Sequence, residues 1–140
     1  MASGRLPGLG YGSGMDDPTV QRFLTALRDH ESGGDPEPLV SLFREDAQID
    51  TATGAHDLRG RDGARRLWAE DRERFGAVRS AFRNVVVQDD RAALEWTREV
   101  PARDGATVAV QGVSVLELED GAIRRFSTYF DPQLLTGATA

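Results

Sequence analysis

The chain has 140 residues, 39% of them hydrophobic, with a formal net charge of -6, no cysteine and two histidines; this length suits one domain built on one core. The lack of cysteine excludes disulfides, thiolate metal sites and a cysteine nucleophile. All 17 basic residues are arginines scattered along the chain, which excludes the basic block of a nucleic-acid footprint.

The opening "MASGRLPGLGYGSGM" is rich in Gly and Ser and reads as a flexible leader over residues 1–15, with Met15 as an alternative start. It holds no apolar run long enough for a secretory segment or a membrane span, so a cytoplasmic protein without a membrane partner is expected. The domain is expected over 16–135, and "TGATA" at 136–140 reads as a loose tail. Pro18 after Asp17 starts a first helix that carries Val20, Phe23, Leu24 and Leu27 at helical spacing and ends near "ESGGD". "PEPLVSLFRED" predicts a short second helix with Leu39, Leu42 and Phe43, and "AQIDT" a brief strand. "ATGAHDLRGRDG" is a Gly-punctuated loop. In "RDGARRLWAEDRERF", Ala64, Leu67, Trp68 and Phe75 mark one face of a third helix.

The remainder reads as strands. "RSAFRNVVVQD" and "AALEWTREV" form a hairpin, "TVAVQGVSVLELE" follows the turn "ARDGAT", and the turn signal "EDGAI" leads into "IRRFSTYFD". Helices followed by a run of antiparallel strands predict an α+β domain: a curved antiparallel sheet wrapped around three N-terminal helices. Side chains alternate between the faces of a strand, which puts Leu94, Trp96 and Val100 inward together with Arg98. A guanidinium in an apolar phase is costly unless it is paired. The same alternation turns Ala47, Ile49 and Thr51 inward on the first strand. It does so for Val108, Val110, Gly112, Ser114, Leu116 and Leu118 on the fourth, and for Phe126, Thr128 and Phe130 on the last.

Three stretches, "VQRFLTALRDHESGGDPEPLVSLFREDAQID", "GRDGARRLW" and "GVSVLELEDGAIRRFSTYFDP", together resemble the SnoaL-type branch of the nuclear-transport-factor-2-like superfamily over roughly residues 18–135. The resemblance implies a cone-shaped fold with a single small-molecule pocket and a homodimer through the outer sheet face. Its members include polyketide cyclases, ketosteroid isomerases, limonene epoxide hydrolases and binding modules. The ketosteroid isomerases' Tyr falls on Phe23, their base on Thr51 and their second acid on Ser114. Asp50 is one residue out of phase and faces the other way. Of the epoxide hydrolases' Asp, Arg, Asp set only the Arg is matched, by Arg98; the acids fall on Val100 and Thr128. Thr128 also stands at the cyclases' acid position. Asp131, before Pro132, is in the opposite phase and reads as a strand-end residue.

The predicted pocket is therefore apolar and aromatic, lined by Phe23, Thr51, Leu67, Trp68, Trp96, Ser114, Thr128 and Phe130, with Arg98 inside. Asp71 lies four residues after Leu67 and four before Phe75, so it either pairs with Arg98 or stays in water among "AEDRER". Arg98 itself either enters the pocket or pairs at the rim. His56 titrates near neutrality and is either an acid/base at the pocket mouth or an exposed loop residue. The indoles are core or substrate platforms, and the hydroxyls are ligand contacts or backbone-bonded spacers. No metal set, P-loop, dinucleotide fingerprint or nucleophile motif is present.

Two functions follow as expectations. One is a cofactor-free isomerase, cyclase or hydrolase for an apolar, cyclic or polyketide-like compound, with Arg98 on an oxygen and Asp71 or His56 moving the proton. The other is a non-catalytic module, either binding an apolar ligand whose acidic group Arg98 satisfies or serving as a dimeric interaction module. The strand phase carries a direct test: Arg98→Ala should weaken ligand binding or turnover far more than Glu99→Ala, and equal losses in a binding titration would refute the assignment.

Overall fold

The computed structural model describes residues 11–51, 57–102 and 104–131. The expected boundary at residue 15 falls inside a 3-10 helix, Tyr11–Asp16, whose Gly14 packs onto Val85. Helix α1, Pro18–Glu31, starts where sequence chemistry says it should: the Asp17 carboxylate accepts from the Thr19 and Val20 amides at 2.9 and 3.0 Å. Helix α2, Glu37–Val40, is a single turn. Phe43, expected on that helix, instead opens strand β1, Phe43–Thr51, and is fully buried there.

Strand β2, Leu58–Arg59, and helix α3, Gly60–Phe75, follow. The chain then runs through β3, Arg79–Gln88, β4, Arg91–Pro101, β5, Thr107–Glu119, and β6, Ala122–Phe130. These form a six-stranded sheet in the order β2-β1-β6-β5-β4-β3. The sheet is mixed, which corrects the antiparallel expectation: β1 lies parallel to β6, with Thr51 beside Thr128 and Ile49 beside Phe126. Hairpin signals specify only neighbours in sequence, and this pairing joins the first strand to the last.

The sheet is curved and does not close. Register shifts between Arg83 and Val86, where Asn84 has φ 51°, and between Glu117 and Leu118 interrupt its ladders, and such bulges bend and twist a strand. The concave face carries two cores. The larger joins Val20, Phe23 and Leu27 of α1 and Ala64 and Trp68 of α3 to Ile49, Leu94, Leu116 and Phe126. The smaller is Phe75, Trp96, Val100 and Val110. Among the described residues no helix is long and apolar enough to cross a membrane.

Gly112 lets Trp96 lie flat across the sheet, because a Cβ at that position would run into the indole ring and the Tyr129 carbonyl. Overpacking of this kind costs about 1–3 kcal/mol. Gly112→Ala should therefore lower the urea midpoint and shift the tryptophan emission. An unchanged midpoint and spectrum would show that the ring does not rest there.

Candidate functional site

Between the two cores lies a cavity of about 200 Å³. Phe23 and Leu27 of α1, Leu67 and Trp68 of α3, Trp96 of β4 and Phe126 and Phe130 of β6 supply its apolar wall, and Thr51, Ser114 and Thr128 its hydroxyls. Arg98 is inside it, as the strand phase requires, with a side chain only 17% exposed. Two acids meet it there. Arg98 Nη1 and Nη2 donate to Asp71 Oδ1 and Oδ2 at 2.7 and 2.6 Å, a bidentate pair, and Nη2 reaches Glu31 Oε2 at 3.5 Å. Asp71 is thus the paired residue rather than the solvated one.

Glu31, the last residue of α1, is the deepest member, with a side chain 6% exposed. The Ser80 amide donates to its Oε1 at 3.0 Å and the Ser80 hydroxyl to its Oε2 at 2.6 Å. Its role was missed because "ESGGD" reads as a helix end. The usable signal is the i, i+4 stripe Phe23, Leu27, Glu31. Burial is the largest influence on Arg98 and opposes its charge. The hydrogen bonds and charge of Asp71, with Glu31 behind them, outweigh burial and hold the pKa above its ordinary value. Nε of Arg98 is buried without a partner among the described residues.

At the other end of the cavity the Trp96 Nε1 donates to Ser114 Oγ at 3.0 Å, and Ser114 Oγ lies 3.3 Å from Thr128 Oγ1. Ser114 and Thr128 therefore bond each other and an indole across the β5–β6 pair. Trp68 stacks tilted on Phe126, centroids 5.6 Å apart, and contacts Phe43 edge-on, so it is both core and cavity wall. Asp50 faces outward and pairs with Arg125 at 3.1 Å. His56 lies outside the described residues. No group of three or more His, Asp or Glu among the described residues is arranged to hold a metal.

Behind the acids sits His30, 2% exposed. Arg72 Nη2 lies 2.9 Å from its Nδ1 and also donates to the carbonyls of His30 and Gly34, both at 2.6 Å. A guanidinium only donates, so Nδ1 accepts and the ring is neutral. Burial first, then the charges of Arg72 and Arg98, lower its pKa against the opposing pull of Asp71.

Together the bent sheet, the three helices over its concave face and the cavity between them define an NTF2-like α+β fold. A family model described as "SnoaL-like domain" matches residues 20–126, and the chain belongs to that family. It is similar to TerC, solved co-crystallized with polyporic acid: 25% identity, 82% of this chain and 90% of that one covered, TM-score 0.69. It is also similar to an NTF2-like protein from Burkholderia pseudomallei K96243 (18% identity, 91% and 98% covered, TM-score 0.74). A candidate SnoaL-like polyketide cyclase from Jannaschia sp. CCS1 gives 19% identity, 98% and 96% coverage and a TM-score of 0.71. The last two likenesses establish the fold. No curated protein matches the chain.

The environment of His30 has a signed consequence. With the folded pKa below the ordinary 6.5, the unfolded chain binds more protons between the two values, so stability rises with pH across that window. The contribution is fully present above about 6.5 and is lost as pH falls toward the folded value. Denaturant unfolding at pH 7.5, 6.5 and 5.5 should show stability dropping on acidification, and His30→Gln should flatten that slope. Parallel slopes for the two proteins would remove His30 as the cause.

Proposed function

We propose that this protein is a cofactor-independent enzyme that binds an apolar, cyclic or polyketide-like small molecule in the cone and moves a proton within it by isomerisation, cyclisation or hydrolysis. The observation that carries this reading is the pair of carboxylates, Asp71 and Glu31, gathered around one guanidinium on the wall of a largely apolar cavity. A carboxylate on the cavity wall within reach of a bound ligand's C–H is placed as a general base must be. Asp71 is the more exposed of the two carboxylates and is assigned as the base. Arg98 aims it and steadies the charge, and Glu31, clasped by Ser80, fixes the far side of Arg98.

Arg98 is engaged by protein carboxylates, which argues against the simplest binding-module reading, in which it neutralises an acidic ligand directly. The same saturation is what a purely structural ion cluster would show, so non-catalytic binding of an apolar ligand stands as the second reading. A homodimer through the outer sheet face belongs to the proposal; Tyr129 and Val86 are exposed there, 51% and 36%.

The test uses 2-tetralone, an apolar bicyclic ketone with acidic C–H bonds. Binding is followed by tryptophan fluorescence and proton removal by NMR-detected deuterium exchange in D2O. The wild type should accelerate exchange, and Asp71→Asn should lower that acceleration by about 10²-fold or more while still binding. Binding with no exchange in the wild type replaces the enzyme by the binding module, and an Asp71→Asn variant at wild-type rate removes Asp71 as the base.

A further inference from the structure

The hydroxyl pair at the opposite end of the cavity carries an unspent proton. An indole N–H only donates, so Ser114 Oγ is the acceptor of the Trp96 bond, and the Ser114–Thr128 contact consumes one of the two hydroxyl protons. Whichever hydroxyl donates within the pair, one O–H is left over, and neither side chain has a further hydrogen bond among the described residues. Ser114 is 5% exposed and lies beneath, whereas Thr128 is half-buried and lines the cavity. Ser114 donates to Thr128 Oγ1, so the surplus donor is the Thr128 hydroxyl, which faces a largely apolar cavity in which a ligand oxygen can accept from it.

Its distance from the ion cluster sets the shape of that ligand. Ser114 pairs with Leu94, and Arg98 pairs with Val110. Leu94 and Arg98 are four residues apart on one strand, roughly 13 Å of backbone. Between them runs an aromatic row, Trp96 across Gly112 to Phe130, with the two ring centroids 6.0 Å apart. The cavity thus has two polar ends and an apolar middle.

We propose that the Ser114–Thr128 pair is an oxygen-recognition subsite, selecting ring compounds that carry a second oxygen acceptor, an ether, carbonyl or phenol oxygen, at the end remote from the reacting carbon. Trp96 polarises the pair from behind and offers its ring face to the ligand's apolar body. The inference rests on the cavity being a small-molecule site and adds the position and kind of a second functional group.

Two probes separate the claims: 2-tetralone, which has an oxygen at one end only, and 6-methoxy-2-tetralone, which adds a pure acceptor at the other. In the wild type the methoxy compound should bind roughly three- to tenfold tighter, the range one additional hydrogen bond supplies. Thr128→Val, which replaces the hydroxyl by a methyl group and covers Ser114, should abolish that preference, so that the variant binds the two compounds equally; Thr128→Ser should keep it. Near-UV circular dichroism checks the fold, and Thr128→Ala takes the place of the valine variant if that one unfolds. A preference that survives loss of the hydroxyl, or no preference in the wild type although 2-tetralone binds, overturns the subsite and leaves the cavity reading intact. Failure of both compounds to bind overturns both.

Discussion

The pairing of Arg98 with Asp71 and Glu31 is the constraint on which the rest of this molecule depends. It joins three elements that share no local sequence: β4 of the sheet, the end of α1 and the middle of α3. Desolvating a guanidinium in a cone is costly, and only carboxylates with good geometry repay it. The bidentate contact from Asp71 meets that demand. The helices are then tied to the sheet at this point by charge, where filling the space with side chains would have closed the cavity. Removing Arg98 would leave two buried carboxylates facing each other without a cation.

That cluster also dictates its surroundings. Glu31 reaches Arg98 from the last residue of α1, so the helix end must be fixed. Arg72 fixes it by donating to the His30 and Gly34 carbonyls, a cation at the end of the helix dipole where it is favoured. Burial, with the two guanidinium charges behind it, keeps His30 neutral, its Nδ1 turned to Arg72. A single ionic demand thus propagates through two further residues behind the cavity wall.

How much of this was legible in the sequence follows from the range of each signal. Strand alternation is local, and it put Arg98, Ser114 and Thr128 on the inner face without knowledge of partners. The stripe through Leu67 and Phe75 made Asp71 a candidate partner for Arg98 but left a solvated position equally open. Glu31 was hidden because the glycines after it mark the helix end, and a terminal residue reads as solvated although its i, i+4 neighbours are core. The parallel union of β1 and β6 leaves no turn signal at all, and Phe43 went to the wrong element because an apolar residue after a proline-started turn fits a helix as well as a buried strand. In each case the missing information was a contact between residues distant in the chain.

The same contrast separates this chain from the chemistries its fold is otherwise used for. At the positions where relatives carry acids on the sheet, this chain carries Thr51, Ser114 and Thr128, which can hydrogen-bond but cannot take a proton at neutral pH. The ionisable carboxylates sit instead on the helices, facing the sheet from across the cavity. Carboxylates and hydroxyls thus stand on opposite sides of the cavity. A fold-level resemblance therefore transfers the cavity but not the assignment of roles.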